Sequence, residues 1–276
     1  MSSTLGADPG LGYGPPVRTQ HFTRLANGTS SEGAAAVAEE VPAALIYNGT
    51  PHAVMMCSPT DFEDLAYGFS ITEEIVNSAA EISSVEVVKH SRVVELRIEI
   101  PAAAAAKLSD RTRAISGRTG CGLCGVEAID DAVRPARRLE SQLKIAQCAL
   151  WLAGTSLAEQ QTINNETHAV HGAAWASPDG VLCVVREDVG RHNALDKVIG
   201  ALARAHIDPS AGFAIITSRA SFELVQKVAV VGISILAAVS RPSGLAIRLA
   251  ERSNVTLAAL LRGESVNLYA HPERIV

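Results

Sequence analysis

The chain has 276 residues, of which 47% are hydrophobic and only 4% aromatic, and its formal net charge is −5 at pH 7. A chain of this length buries a large core and divides into two units of unequal size. The scarce aromatics exclude a single-strand binder that works by base stacking, and the acidic balance excludes a broad non-specific nucleic-acid surface, so no nucleic-acid partner is expected.

Residues 1–18 are rich in Ser, Gly and Pro, lack an apolar core of signal-peptide type, and read as a disordered tail. Residues 19–114 read as a small α+β domain. Short apolar runs Ala43–Tyr47 and Ala53–Cys57 flank Asn48-Gly49, a strong hairpin signal. Thr60 precedes an acidic first turn and the helically spaced Phe62, Leu65, Ala66 and Phe69, which predicts an N-capped helix over 61–76. Strands follow at Val85–Val88 and at Val93–Ile100, the second alternating in period two. Pro101 to Lys107 is alanine-rich and suits either a helical turn or a spacer.

Residues 115–140 read as a mobile loop around Cys121 and Cys124. From 141 to 276 the pattern is that of a layered α/β domain. A helix is predicted over Leu143–Leu157 and a strand over Thr167–Trp175. Strands and helices then alternate: Val181–Val185 with Arg191–Ala205, Phe213–Ile216 with Phe222–Val231, and Ile233–Val239 with Leu245–Arg252. Strands Val255–Leu260 and Val266–Tyr269 close the sheet. Parallel strands need crossover connections, and these helices supply them.

The longest apolar run, Val228–Val239, is too short to span a bilayer and is interrupted by Gly232 and Ser234. No membrane partner is expected, and the chain is placed in the cytoplasm. Thiols are held reduced there, so Cys57, Cys121, Cys124, Cys148 and Cys183 read as free thiols, metal ligands or catalytic groups.

Three strand-to-helix joints carry an arginine beside glycine or hydroxyl residues: Arg186 to Asn193, Thr217 to Ser221, and Ser240 to Gly244. Parallel sheets bind ligands at the carboxyl ends of their strands, helix N-termini favour anions, and the arginine fork suits phosphate. One such joint is commonly ordinary helix capping; three on one edge fit a site for a phosphate-bearing nucleotide or cofactor as well as they fit capping, and in the first case Arg219 and Arg241 face one ligand. Arg191 and His192 open the helix after the first joint. His171, inside a predicted strand, reads as a core histidine, and Cys148 and Cys183 as small core hydrophobes. Neither the phosphate-loop pattern nor the dinucleotide glycine fingerprint occurs, which argues against a kinase, a GTPase or a standard NAD enzyme.

Thr119-Gly-Cys-Gly-Leu-Cys-Gly125 is the most informative stretch. Its glycines permit sharp bends and close approach to the sulfurs, which a packing cysteine does not need. A zinc half-site would need two further ligands, and no second Cys-x-x-Cys exists. A thioredoxin-like exchanger would place its first cysteine at a helix start after a strand, which the glycines oppose. Zinc-dependent deamination fails because the lone His-x-Glu, His271-Pro-Glu273, lies far downstream in the wrong order. What remains is a thiolate nucleophile that accepts and hands on a group, with no metal site. Arg111, Arg113 and Arg118 are either solvated charges or a means of lowering a thiol pKa.

Cys121-Gly-Leu-Cys-Gly125, Asp188-Val-Gly-Arg-His-Asn-Ala-Leu-Asp-Lys197, Ser218-Arg-Ala-Ser-Phe-Glu-Leu-Val-Gln-Lys227 and Val266-Asn-Leu-Tyr-Ala-His271 together resemble the FdhD family of formate dehydrogenase accessory sulfurtransferases. The resemblance runs from about Val41 to the C-terminus. It implies a cytidine-deaminase-like fold for the larger domain without the deaminase zinc, and a homodimer. It also implies a sulfurtransferase that carries persulfide sulfur from a cysteine desulfurase to a molybdenum bis(molybdopterin guanine dinucleotide) cofactor destined for formate dehydrogenase. The persulfide carrier falls on Cys121, with Cys124 as resolving, relaying or structural partner. The cofactor segment falls on Val266, Asn267, Leu268, Tyr269, Ala270 and His271, and GDP is expected to mimic the cofactor. Val266 stands where the family carries an aromatic residue. Two other readings stay open on the residues alone: a guanine-nucleotide-binding accessory scaffold and a thiol-disulfide redox protein.

Overall fold

A computed structural model describes residues 14–91, 93–108 and 137–276. Strands β1 (Val17–Ala26) and β2 (Thr29–Ala38) pair antiparallel about Asn27-Gly28, both at positive φ. β1 therefore begins inside the segment read as a tail. This hairpin is a two-stranded sheet of its own and lies against the helix Thr162–Thr167 of the C-terminal half.

The small domain is a four-stranded sheet in the order β4-β3-β6-β5, from β3 (Val41–Tyr47), β4 (Thr50–Cys57), β5 (Ser84–Lys89) and β6 (Val94–Glu99). Asn48 and Gly49 turn the β3–β4 hairpin with φ of 47° and 78°, as the Asn-Gly signal requires. Along β3 every second residue, Val41, Ala43, Leu45 and Tyr47, is buried against helix α1 (Phe62–Thr72). The N-cap of α1 is Asp61 in left-handed conformation, not Thr60, and its side chain makes no cap bond; it pairs with Arg186 at 3.3 Å instead. The helix also ends before the expected residue 76. The backbone N–H groups of Ile75 and Val76 fold back onto the Ser70 carbonyl, which buries both side chains. Residues 102–108 are helical (α2).

The C-terminal half corrects one expectation at its start. Leu143 to Ala146 are extended, and α3 spans Gln147–Gln160, because Ile145 pairs in parallel with Ile275 and so ties the chain end to the domain. Residues 162–167 form the short helix α4 (Thr162–Thr167), so β7 is confined to His171–Ala176. Then follow β8 (Leu182–Asp188), α5 (Arg191–Arg204), β9 (Phe213–Ile216), α6 (Phe222–Val230), β10 (Ile235–Ala238), α7 (Gly244–Ser253), β11 (Thr256–Arg262) and β12 (Ser265–Ala270).

The six strands lie in the order β12-β11-β10-β9-β7-β8. β9, β10 and β11 are mutually parallel, and β8 runs the same way because both it and β9 are antiparallel to the intervening β7. Alternate residues face opposite layers. Ala173, Ala214, Ile216, Leu236 and Ala238 meet α5, α6 and α7, while Ala174, Phe213, Ile215, Ile235 and Ala237 meet α3. The result is a three-layer α/β domain.

The two domains join where α1 crosses α5. A Cβ on Gly68 would fall on the carbonyl oxygen of Asp196, and one on Gly200 on that of Asp64, so only glycine lets the two backbones touch. Among the described residues no helix is long and apolar enough to cross a membrane.

Candidate functional site

Because β8, β9 and β10 run the same way, Asp188, Ile216 and Ala238 end on one edge of the large sheet, and the three arginine-bearing joints leave from there. The joints are stitched together. The N–H of Ala220 donates to the Arg241 carbonyl at 3.2 Å, and the N–H of Ser243 to the Ala220 carbonyl at 3.0 Å. The N–H of Leu260 reaches the Ser240 carbonyl at 3.1 Å, which brings the end of β11 into the same edge. On the other side, Thr217 and Gly172 exchange bonds of 2.9 Å, so His171 at the start of β7 belongs to the edge too. It is half-buried in a charged surround, not a core histidine, and burial followed by Arg191 holds its pKa below the ordinary imidazole value.

The residues of the first joint divide by role. Arg186 reaches back to Asp64 at 2.8 Å, and Arg204 donates to the other Asp64 oxygen at 2.6 Å. The Glu187 carboxylate accepts the N–H groups of Ile163 and Asn164 at 2.8 and 2.9 Å, and thereby caps α4. Asp188 pairs with Lys197 at 2.7 Å, both fully buried, and accepts from the Ser58 and Gly190 N–H groups and the Asn193 amide. These are joints of the architecture. Arg191 is different: its Nε is buried with no hydrogen-bond partner among the described residues.

Arg219 and Arg241 are exposed, and neither has a carboxylate partner among the described residues. His192 Nε2 meets Glu223 at 2.8 Å, and the Ser221 hydroxyl donates to the same carboxylate at 3.0 Å. Ser221 is the N-cap of α6 yet makes no cap bond. Glu223 was invisible to the sequence reading, although its place in the first turn after a serine N-cap puts it beside the helix mouth.

Lys227, the last residue of its motif, is also structural. It is buried against Asp196 at 3.0 Å and donates to Thr72 and Glu73 of the small domain at 2.9 and 3.1 Å. Asn193 and Lys197, four apart on one helical face, were the available sign that this motif grips something rather than faces solvent.

The C-terminal segment crosses the sheet. β12 is antiparallel to β11, so Val266 and Asn267 lie toward the arginine edge, Asn267 opposite Ala259. Leu268 is exposed and Tyr269 half-buried; Ala270 is buried opposite Leu257, and His271 lies at the far edge. There the His271 carbonyl accepts from Thr256 Oγ1 at 2.7 Å, and its ring Nε2 meets the Glu251 carbonyl at 3.0 Å. The structure thus unites Arg191, His192, Arg219 and Arg241 and separates His271 from them.

Cys121, Cys124, Arg111, Arg113 and Arg118 lie outside the described residues. Of the other cysteines, only Cys57 is buried; burial and then Asp188 push its thiol up to about 12, which removes it as a thiolate at neutral pH. Cys148 and Cys183 are exposed rather than core residues. Cys183 is the extra residue of a β-bulge, since Trp175 pairs with Val184 and Ala176 with Leu182. Cys148 falls on the outer side of the first turn of α3. Among the described residues no cluster of His, Cys, Asp or Glu could hold a metal ion.

The model of the FdhD/NarQ family matches residues 38–276. The chain belongs to the FdhD/NarQ family. A sulfur carrier protein FdhD of Bordetella petrii is 48% identical over 239 residues, covering 87% of this chain and 86% of the relative. One of Xanthomonas axonopodis pv. citri is 48% identical over 262 residues, covering 95% and 92%. A crystal structure from Desulfotalea psychrophila, assigned as a formate dehydrogenase accessory protein, superposes with a TM-score of 0.76 at 26% identity and covers 95% of this chain and 100% of that one.

Proposed function

We propose that this FdhD/NarQ chain is a cytoplasmic, homodimeric sulfur carrier and sulfurtransferase. The Cys121 thiolate attacks the outer sulfur of a cysteine-desulfurase persulfide, forms Cys121–S–SH and releases the desulfurase thiolate. The sulfur then passes to a molybdenum bis(molybdopterin guanine dinucleotide) cofactor bound as cargo and destined for formate dehydrogenase. Cys124 assists as resolving or relaying thiol. The six-stranded sheet and its helices are taken as the cytidine-deaminase-like layer of this family, without its zinc.

One observation supports the cargo site above others. Arg191, His192, Arg219 and Arg241 come from helix starts and joints far apart in sequence, yet they meet on one sheet edge, where the nearby carboxylates Glu187 and Asp188 are buried and already bonded. Such an edge presents cationic forks at helix N-termini, with Glu223 paired to His192 beside them, which suits phosphates and guanine. Val266 and Asn267 line the adjoining strand, and the rest of the segment to His271 gives a long cofactor a second contact.

Calorimetry tests this. GDP is expected to bind weakly and the full cofactor more tightly. Each of Arg219→Ala and Arg241→Ala loses a charge-assisted hydrogen bond of roughly 1.5–3 kcal/mol, or about tenfold to a hundredfold in affinity. Both side chains are exposed, so the melting temperature should barely move. Unchanged GDP affinity in both variants would mean that the joints are ordinary caps.

A further inference from the structure

The ring of His192 is held in a way that the sulfur chemistry does not use. Glu223 at 2.8 Å and Ser221 at 3.4 Å both approach the same nitrogen, Nε2. A nucleophile triad would place the acid and the hydroxyl on opposite ring nitrogens, so this is not one. With the Nε2 hydrogen committed to Glu223, the neutral ring presents Nδ1 as a lone pair, and Nδ1 has no partner among the described residues. Ser221 spends its hydroxyl on Glu223 instead of capping its own helix.

The charges around the ring come from every element that packs on it. Glu223 and Lys227 approach from α6, Arg191 from the start of α5, and His171 from β7, itself facing Arg219 and Asp188. Burial lowers the His192 pKa below the ordinary imidazole value; Glu223 pulls the other way, and Arg191 and Lys227 add to the lowering. The free protein therefore keeps His192 neutral near neutral pH. An anion bound beside it offsets Arg191 and favours the imidazolium.

We propose that His192 is a proton-binding residue coupled to the anion site, such that a phosphate-bearing ligand binds at this edge together with one proton taken from solvent onto Nδ1. The bookkeeping is simple: Nδ1 gains the proton, Nε2–H stays on Glu223, and the site gains one positive charge as the anion arrives. The inference rests on the anion-binding reading of the edge. It adds that affinity rises on acidification, about tenfold for each unit by which the anion raises the His192 pKa.

The test uses the full chain and diguanosine diphosphate, whose pyrophosphate diester does not titrate near neutral pH, unlike the terminal phosphate of GDP. Calorimetry in buffers of different ionisation enthalpy, at about pH 6.5, reads protons taken up on binding. Uptake approaching one proton is expected in the wild type and in His171→Asn. It should be lost in His192→Gln, which keeps a side-chain donor for Glu223 but cannot titrate. Binding with no proton uptake in the wild type overturns the proposal and leaves the anion site standing. Uptake that survives His192→Gln, or disappears with His171→Asn, overturns it by placing the proton elsewhere. No binding of the dinucleotide at all overturns both this proposal and the reading on which it rests.

Discussion

Lys197 carries its ammonium into a space with no access to water, 2.7 Å from Asp188, and donates to the Ser58 carbonyl and Thr60 hydroxyl. Burying this pair is costly in itself; what it secures is that β8, the start of α5 and the end of β4 have a single mutual arrangement. Lys197→Met should leave Asp188 buried without its counter-charge and cost about 3–5 kcal/mol, read by denaturant unfolding. The Asp188→Asn, Lys197→Met double variant should recover part of that loss, because a neutral amide suffers less from burial. A single variant within about 0.5 kcal/mol of wild type would show that the pair is incidental.

At the scale of elements, the α1–α5 crossing decides how the domains are joined. Gly200→Ala places a methyl group on the backbone carbonyl of Asp64, and backbone cannot give way as a flexible side chain can. The expected cost is about 1–3 kcal/mol or more, with the loss of cooperative unfolding of the two domains. Gly244→Ala is the matched control. A Cβ there meets only the end of Arg248 at 3.5 Å, so stability should change by less than about 1 kcal/mol. Equal melting temperatures for the two variants would contradict the crossing. Much at this scale was legible in the sequence. From Phe213 onward strands alternate cleanly with amphipathic helices, and they occur where local pattern places them. One miss was local, the β1–β2 hairpin, which turns on Asn27-Gly28 just as the next hairpin turns on Asn48-Gly49. Others were long-range. Nothing near Leu143 announces that Ile145 pairs with Ile275, and nothing near Cys183 announces a bulge set by its partner strand. The same holds for the site: the arginines were legible from their joints, whereas the second roles of Glu187 and Asp188 depend on Ile163 and Ser58, residues that only folding brings near.

For the whole molecule, the proposed function requires a thiol donor and an anion-binding sheet edge in one FdhD/NarQ chain. Exposed Cys148 and Cys183 are available to react with sulfur donors, whereas Cys57 is not, so a mass gain on the intact chain would not locate the carrier. The decisive measurement is peptide-level mass spectrometry, without reductant, after incubation of the full chain with a cysteine desulfurase and cysteine. It is paired with restoration of formate dehydrogenase activity in cells lacking the native protein. One added sulfur atom on the Cys121 peptide is predicted, with that signal and the restored activity both lost in Cys121→Ser. Sulfur found only on Cys148 or Cys183, an internal Cys121–Cys124 disulfide with no added sulfur, or an active Cys121→Ser variant would contradict the account.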